Sequence, residues 1–282
     1  MNIPSLFFSL LLAFSSSALA FKVESQDVPS KAMAKTIPVS IVLPKAYEEN
    51  PAVPLPVLYL LHGAGDNNST WLNATSISSL ADQFGIIIVS PSSDISWYFD
   101  SPEIPSSKYE TFISTELVTY IDSHYRTRAN RLFRALLGNS MGGHGALFLG
   151  IRHKDLFATA VSISGGVDFR PFPKNWNLDK LLGNEKDHPD RWNDLTVLNQ
   201  AKKLKDGDLA ISIDVGVYDF FVEGNRALHR ELLDQKVAHD YTERPGYHGW
   251  PYWANAIPYQ MLYISNRFKE NEAKAPKAVS VN

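Results

Sequence analysis

Leu132-Phe133-Arg134-Ala135-Leu136-Leu137-Gly138-Asn139-Ser140-Met141-Gly142-Gly143 passes from an apolar run, through small residues, into a helical pattern that extends to Ile151. A G-x-S-x-G segment placed between a strand and a helix has a steric logic. The sharp turn holds the serine in a strained backbone conformation, and only small neighbours at Gly138 and Gly142 clear it. The hydroxyl of Ser140 then projects beyond the strand, at the positive end of the helix dipole. A serine capping a helix between two glycines would satisfy the motif alone, so the surrounding sequence has to decide.

Outward from this stretch, strand and helix patterns alternate. Thr36 to Leu43 is rich in β-branched residues and predicts an outer strand. Pro56 to Leu61, Ile86 to Val89, Leu132 to Leu137, Ala158 to Ile163 and Leu209 to Ile213 are continuously apolar, as strands buried on both faces must be. Asp240 to Glu243 is a further candidate strand. Tyr109 to Tyr125, Met141 to Ile151 and Val222 to Val237 carry helical spacing. Strands alternating with helices predict an α/β fold, with a mostly parallel sheet and helices on both faces. No internal repeat or linker is visible, so residues 21–282 read as a single domain. Residues 172–205 break the rhythm with prolines, Trp176 and Trp192, and read as an insertion over the carboxyl edge of the sheet. Residues 271–282 read as a frayed tail.

A serine hydroxyl is a weak nucleophile and needs a base held by a third group. Behind a serine of this kind, the acid and then the histidine follow in chain order. Of the downstream histidines, His248 lies in Pro245-Gly246-Tyr247-His248-Gly249-Trp250, a glycine-rich loop after the last candidate strand. His153, His188, His229 and His239 sit in or beside helices, in the insertion, or at the start of a strand. Asp214 is still inside a strand pattern, whereas Asp219 lies in the loop beyond it and can reach a neighbouring loop. Asp219 is therefore the expected acid. Two backbone N–H groups are expected to form an oxyanion hole, each worth about 3 kcal/mol in the transition state. Met141, after the serine, supplies one; Ala64, in His62-Gly63-Ala64-Gly65 after the Pro56 to Leu61 strand, supplies the other. His62, beside the glycines, reads as support for that loop rather than as a base.

Five segments resemble the esterase D-type branch of the α/β hydrolases: Leu60-Leu61-His62-Gly63, Ser96-Trp97-Tyr98, Gly138 to Gly145, Tyr218-Asp219-Phe220 and Pro245-Gly246-Tyr247-His248. That branch includes S-formylglutathione hydrolases, tributyrin-type, feruloyl and acetylxylan esterases, and mycolyltransferases. The segments occur in the family's order across nearly all of residues 21–282. The resemblance implies the α/β-hydrolase fold, with Ser140 as nucleophile, Asp219 as acid and His248 as base. Two positions depart from the pattern: Asn139, where leucine is common, and Tyr247, where glycine is common. Trp97 and Tyr98 are the expected substrate-contacting aromatics, although aromatics here can equally dock loops onto the sheet.

Composition narrows the alternatives. The chain has 282 residues, formal net charge −3, and no concentrated basic stripe, so a nucleic-acid partner is not expected. It has no cysteine, which excludes disulfides, thiolate nucleophiles and Cys-ligated metals. No metal and no cofactor are implied; Asp187-His188-Pro189-Asp190 reads as a solvated loop. Leu6 to Phe14 is apolar and leads to Ala18-Leu19-Ala20, the pattern of a signal peptide cleaved near Ala20. Export, without stable membrane insertion, is the expectation. Asn67, Asn68 and Asn73 each begin an N-x-S/T triplet. The function these residues predict is a serine carboxylesterase acting on small acyl or aryl esters, free or polysaccharide-linked. An acyltransferase using the same three residues is one rival, and a non-catalytic exported binding protein is another.

Overall fold

The computed structural model describes residues 21–274. The expected signal segment at residues 1–20 lies outside them. Eight strands form one sheet: β1 (Phe21–Ser30), β2 (Lys35–Pro44), β3 (Val57–Leu61), β4 (Ile87–Pro91), β5 (Arg134–Asn139), β6 (Thr159–Ile163), β7 (Ala210–Gly216) and β8 (His239–Arg244). Their spatial order is β1-β2-β4-β3-β5-β6-β7-β8. From β4 across to β8 every pairing is parallel, while β2 runs antiparallel to both its neighbours. This is the mostly parallel α/β-hydrolase sheet that the sequence predicts.

Period-two alternation distributes side chains to two cores. Val57, Tyr59, Leu61 and Leu136 join the core under the Met141–Arg152 and Val222–Asp234 helices. Leu58, Leu60, Ala135 and Leu137 join the one under the Ile77–Phe84 and Trp250–Lys274 helices. All five residues of β3 and of β4 are buried, which is why Pro56 to Leu61 and Ile86 to Val89 read as unbroken apolar runs. Each fully buried leucine or isoleucine there contributes about 1.5–3 kcal/mol.

After β3 the chain turns toward β4, and after β5 it turns toward β6. The carboxyl ends of adjacent β3 and β5 thus form the switch point where open α/β sheets bind ligands. The insertion between β6 and β7 folds as short helices, Leu178–Leu182, Pro189–Asp194 and Val197–Gln200. The last helix continues through Lys274, and Asn271 Nδ2 donates to the Leu132 carbonyl at 2.8 Å. Fraying expected from Asn271 is therefore not seen at residues 271–274; the remainder of that tail lies outside the described residues. No helix among the described residues is long and apolar enough to cross a membrane.

Candidate active site

The turn after β5 is as tight as the glycines imply. A Cβ on Gly142 would lie 2.2 Å from the Leu61 carbonyl oxygen, and one on Gly138 would lie 2.2 Å from that of Gly142. Ser140 sits at φ 56°, ψ −118°, a conformation that costs a non-glycine residue about 1–3 kcal/mol. Three backbone hydrogen bonds hold it there: Ser140 N–H donates to Ile163 O at 3.0 Å, and Ser140 O accepts from His144 and Gly166 N–H, both at 3.1 Å. The neighbouring strand and the following helix together fix the residue.

Asp219 lies in the turn after β7, where its N–H donates to Gly216 O at 3.0 Å and its Oδ1 accepts from Phe221 N–H at 2.8 Å. His248 lies in the loop after β8, just before Gly249 O caps the final helix by accepting from Tyr252 and Trp253 N–H. These two loops and the serine turn converge. His248 Nδ1 is 2.9 Å and 3.0 Å from the two Asp219 carboxylate oxygens, and its Nε2 is 2.9 Å from Ser140 Oγ. A carboxylate only accepts, so Nδ1 carries the proton and Nε2 is free to accept from the hydroxyl. The Asp219 side chain is fully buried, and that of His248 is 12% exposed.

Asp214, the acid five residues earlier, is placed differently. It lies inside β7, fully buried, where it accepts from Tyr252 Oη at 2.5 Å and Gln260 Nε2 at 2.7 Å and pairs with Arg244. Burial pushes its carboxyl above the usual range, with Tyr252, Arg244 and Gln260 opposing. Of the other downstream histidines, His153 is engaged with Glu110, and His229 with His239.

The loop after β3 closes on the serine. A Cβ on Gly63 would lie 3.4 Å from Ser140 Cβ. Among the described residues, neither Ala64 nor Met141 N–H donates to another backbone group, so both remain available to an oxyanion. No cluster of three or more metal-ligating side chains occurs among the described residues.

Trp97 and Tyr98 occupy other positions than expected. Both are buried, at 1% and 0% exposure, and neither side chain faces a ligand-accessible surface. Trp97 packs against His144, Phe169 and Trp176, and its Nε1 donates to Trp176 O at 3.2 Å. Tyr98 Oη donates to His62 O at 3.0 Å. They brace the insertion and the loop after β3; apolar bulk drew both into the core. The aromatics at the site include the sequence neighbours of Asp219 and His248, beside Phe221 and Trp253, which pack on the His248 ring. Phe220 lies 4.2 Å from the His248 ring and is stacked on Trp176 of the insertion, while Tyr218 and Tyr247 stack on each other at 63% and 71% exposure. Their adjacency to Asp219 and His248 was the signal that could have found them. A cleft of about 400 Å³ opens beside His248, bounded by Tyr247, Pro251, Tyr252 and Asn255.

Residues 30–264 match the Esterase family model. An acetyl esterase of Caldicellulosiruptor saccharolyticus is 26% identical over 264 residues, covering 85% of this chain and 94% of that protein. A solved ferulic acid esterase superposes with a TM-score of 0.76 at 27% identity, over 88% of this chain and 98% of that one. The diacylglycerol acyltransferase/mycolyltransferase Ag85A of Mycobacterium leprae is 35% identical over 171 residues, 57% of this chain and 48% of that protein. A family match across this much of the sequence, carried on an α/β-hydrolase fold, leads to one conclusion: the chain belongs to the Esterase family.

Proposed function

We propose that the protein is a serine carboxylesterase in which Ser140, His248 and Asp219 act as a catalytic triad. The observation that carries this reading is the unbroken line of hydrogen bonds from Asp219 through His248 to Ser140 Oγ. His248 Nε2 takes the hydroxyl proton as Oγ attacks the ester carbonyl, and the Asp219 carboxylate stabilises the resulting imidazolium. Ala64 and Met141 N–H hold the oxyanion of the tetrahedral intermediate. Its collapse expels the alcohol, which receives the proton from His248. Water, deprotonated by the same ring, then attacks the acyl-enzyme and releases the acid and the free serine. No step calls for a cofactor.

The substrates we propose are small acyl or aryl esters, free or polysaccharide-linked. Relatives named for acetyl and ferulic acid esters support this range. The leader pattern ending at Ala20 supports an exported enzyme. Ser140→Ala should lower turnover of p-nitrophenyl acetate by about 10⁶ if the three residues work as a unit. An unchanged rate would overturn the assignment. Similarity to Ag85A over part of the chain favours acyl transfer as the second reading. Ester product formed from an added alcohol, in competition with hydrolysis, would reveal it.

A further inference from the structure

His62 is fully buried beside the triad, yet the mechanism above gives it no role. Its two ring nitrogens have partners that fix its protonation. Ser93 N–H donates to Nε2 at 2.9 Å, so Nε2 is bare. Gly63 O, 2.8 Å from Nδ1, can only accept, so Nδ1 carries the hydrogen. The ring is therefore the neutral Nδ1–H tautomer. Burial holds its pKa below the ordinary histidine value, with the Gly63 carbonyl and the Asp94 charge acting the other way.

The carbonyl that receives this hydrogen bond belongs to the same peptide unit as the Ala64 N–H. A peptide group is conjugated, and a donor on its oxygen draws electron density from its nitrogen, making the N–H a stronger donor. Gly63 O receives two such donors, His62 Nδ1 and, at 3.2 Å, Asp66 N–H. The carbonyls on either side of the His62 N–H are gripped as well. Trp71 Nε1 donates to Leu61 O at 3.1 Å, and Tyr98 Oη donates to His62 O at 3.0 Å.

We propose that His62 is a positioning residue that fixes and polarises the Gly63–Ala64 peptide, so that the Ala64 N–H meets the developing oxyanion as a strengthened donor. The relay runs from Ser93 N–H to His62 Nε2, and from His62 Nδ1–H through Gly63 O to Ala64 N–H. It rests on the esterase reading, because the relay matters only if charge develops at Ala64. No proton moves along it: His62 stays neutral throughout, and His248 remains the base.

Two variants test it. His62→Asn can keep an N–H near the place of Nδ1, whereas His62→Leu fills similar space with no donor. With p-nitrophenyl acetate, His62→Leu should lower kcat on the order of 10-fold, part of the effect of losing a whole oxyanion donor, with KM unchanged. His62→Asn should stay within about threefold, since it restores the hydrogen bond. Affinity for a boronic acid that adds to Ser140 should fall in proportion to kcat, a correlation that a purely structural role would not produce. Wild-type kcat in His62→Leu, or equal losses in both variants, would overturn the relay. Should His62→Leu fail to fold, ¹⁵N NMR of the wild-type imidazole gives an independent answer: a protonated Nε2 rejects the relay and a bare Nε2 upholds it. Failure of the esterase reading itself looks different, as wild-type protein that turns over no ester or turnover that survives Ser140→Ala.

Discussion

His144 lies fully buried in the helix that follows Ser140, with Nδ1 3.0 Å from Trp97 O and Nε2 2.9 Å from Leu195 O. Both partners are acceptors, so a neutral ring can satisfy only one of them at a time. Burial nevertheless dominates and lowers its pKa to about 4, against the pull of the Leu195 and Trp97 carbonyls. In the unfolded chain the same ring titrates near 6.5. Below that pH the unfolded state binds the proton first, so stability is full above about 6.5 and is lost progressively down to about 4, an effect of about 3 kcal/mol. Thermal melts from pH 7 to pH 4 should fall accordingly, and His144→Gln should flatten that slope. An equal slope in the variant would show that other groups govern the acid limb. At this scale the sequence was uneven. The meeting of Ser140, Asp219 and His248 was legible because turn glycines, loop position and chain order constrain them. Trp97 and Tyr98 were not, because an aromatic ring reads the same whether it lines a cleft or fills a core.

The strands that sequence alone locates are those buried on both faces. Two edge strands, β1 and β8, frame the opposite case. Phe21–Ser30 has only two buried residues and no clear apolar pattern, and it is held by its antiparallel register with β2. That pairing is a tertiary fact, invisible to periodicity. His239–Arg244 has no buried residue, and the sequence suggested it only by position. The Tyr109 to Tyr125 helix is present through His124, but Phe112–Leu117 is wound as a π-helix, a local widening that leaves no mark on apolar spacing. Between elements, contact distances set the tolerances. Because a Cβ on Gly142 would meet the Leu61 carbonyl carbon at 2.6 Å and its oxygen at 2.2 Å, Gly142→Ala has to drive the Met141–Arg152 helix off the end of β3. Overpacking of this kind typically costs about 1–3 kcal/mol or more. The displacement would also move Met141 N–H and Ser140 Oγ. A lower melting temperature together with a fall in kcat of about 10²-fold is expected, since misplacement by about 1 Å can cost that much. Normal kcat in a folded Gly142→Ala variant would mean that the turn tolerates movement without consequence for the site.

Across the whole molecule, two carboxylates five positions apart have different partners. Asp219 meets His248 from a loop, whereas Asp214 ties three elements together. From within β7 it accepts from Tyr252 and Gln260 of the last helix and pairs with Arg244 of β8. The last helix covers one face of the sheet, and β8 carries the loop that presents His248, so this network closes the frame around that loop. Replacing Asp214 by Asn keeps the volume, but it sets an NH₂ donor among the three donors and leaves Arg244 without its counter-charge. Breaking a buried pair in this way costs about 3–5 kcal/mol. For a chain of this size that lowers Tm by roughly 2–4 °C per kcal/mol. Asp219→Asn should do the reverse, leaving the melt nearly unchanged while lowering kcat by about 10⁴, because the ring loses the partner that fixes its tautomer. Melting curves and p-nitrophenyl acetate kinetics on the two variants, measured together, separate the roles. A stable, inactive Asp214→Asn beside an active Asp219→Asn would reverse the assignment. The converse outcome would place the acid in the turn beyond β7, where it can meet a base from the loop after the next strand, and the frame inside β7 itself.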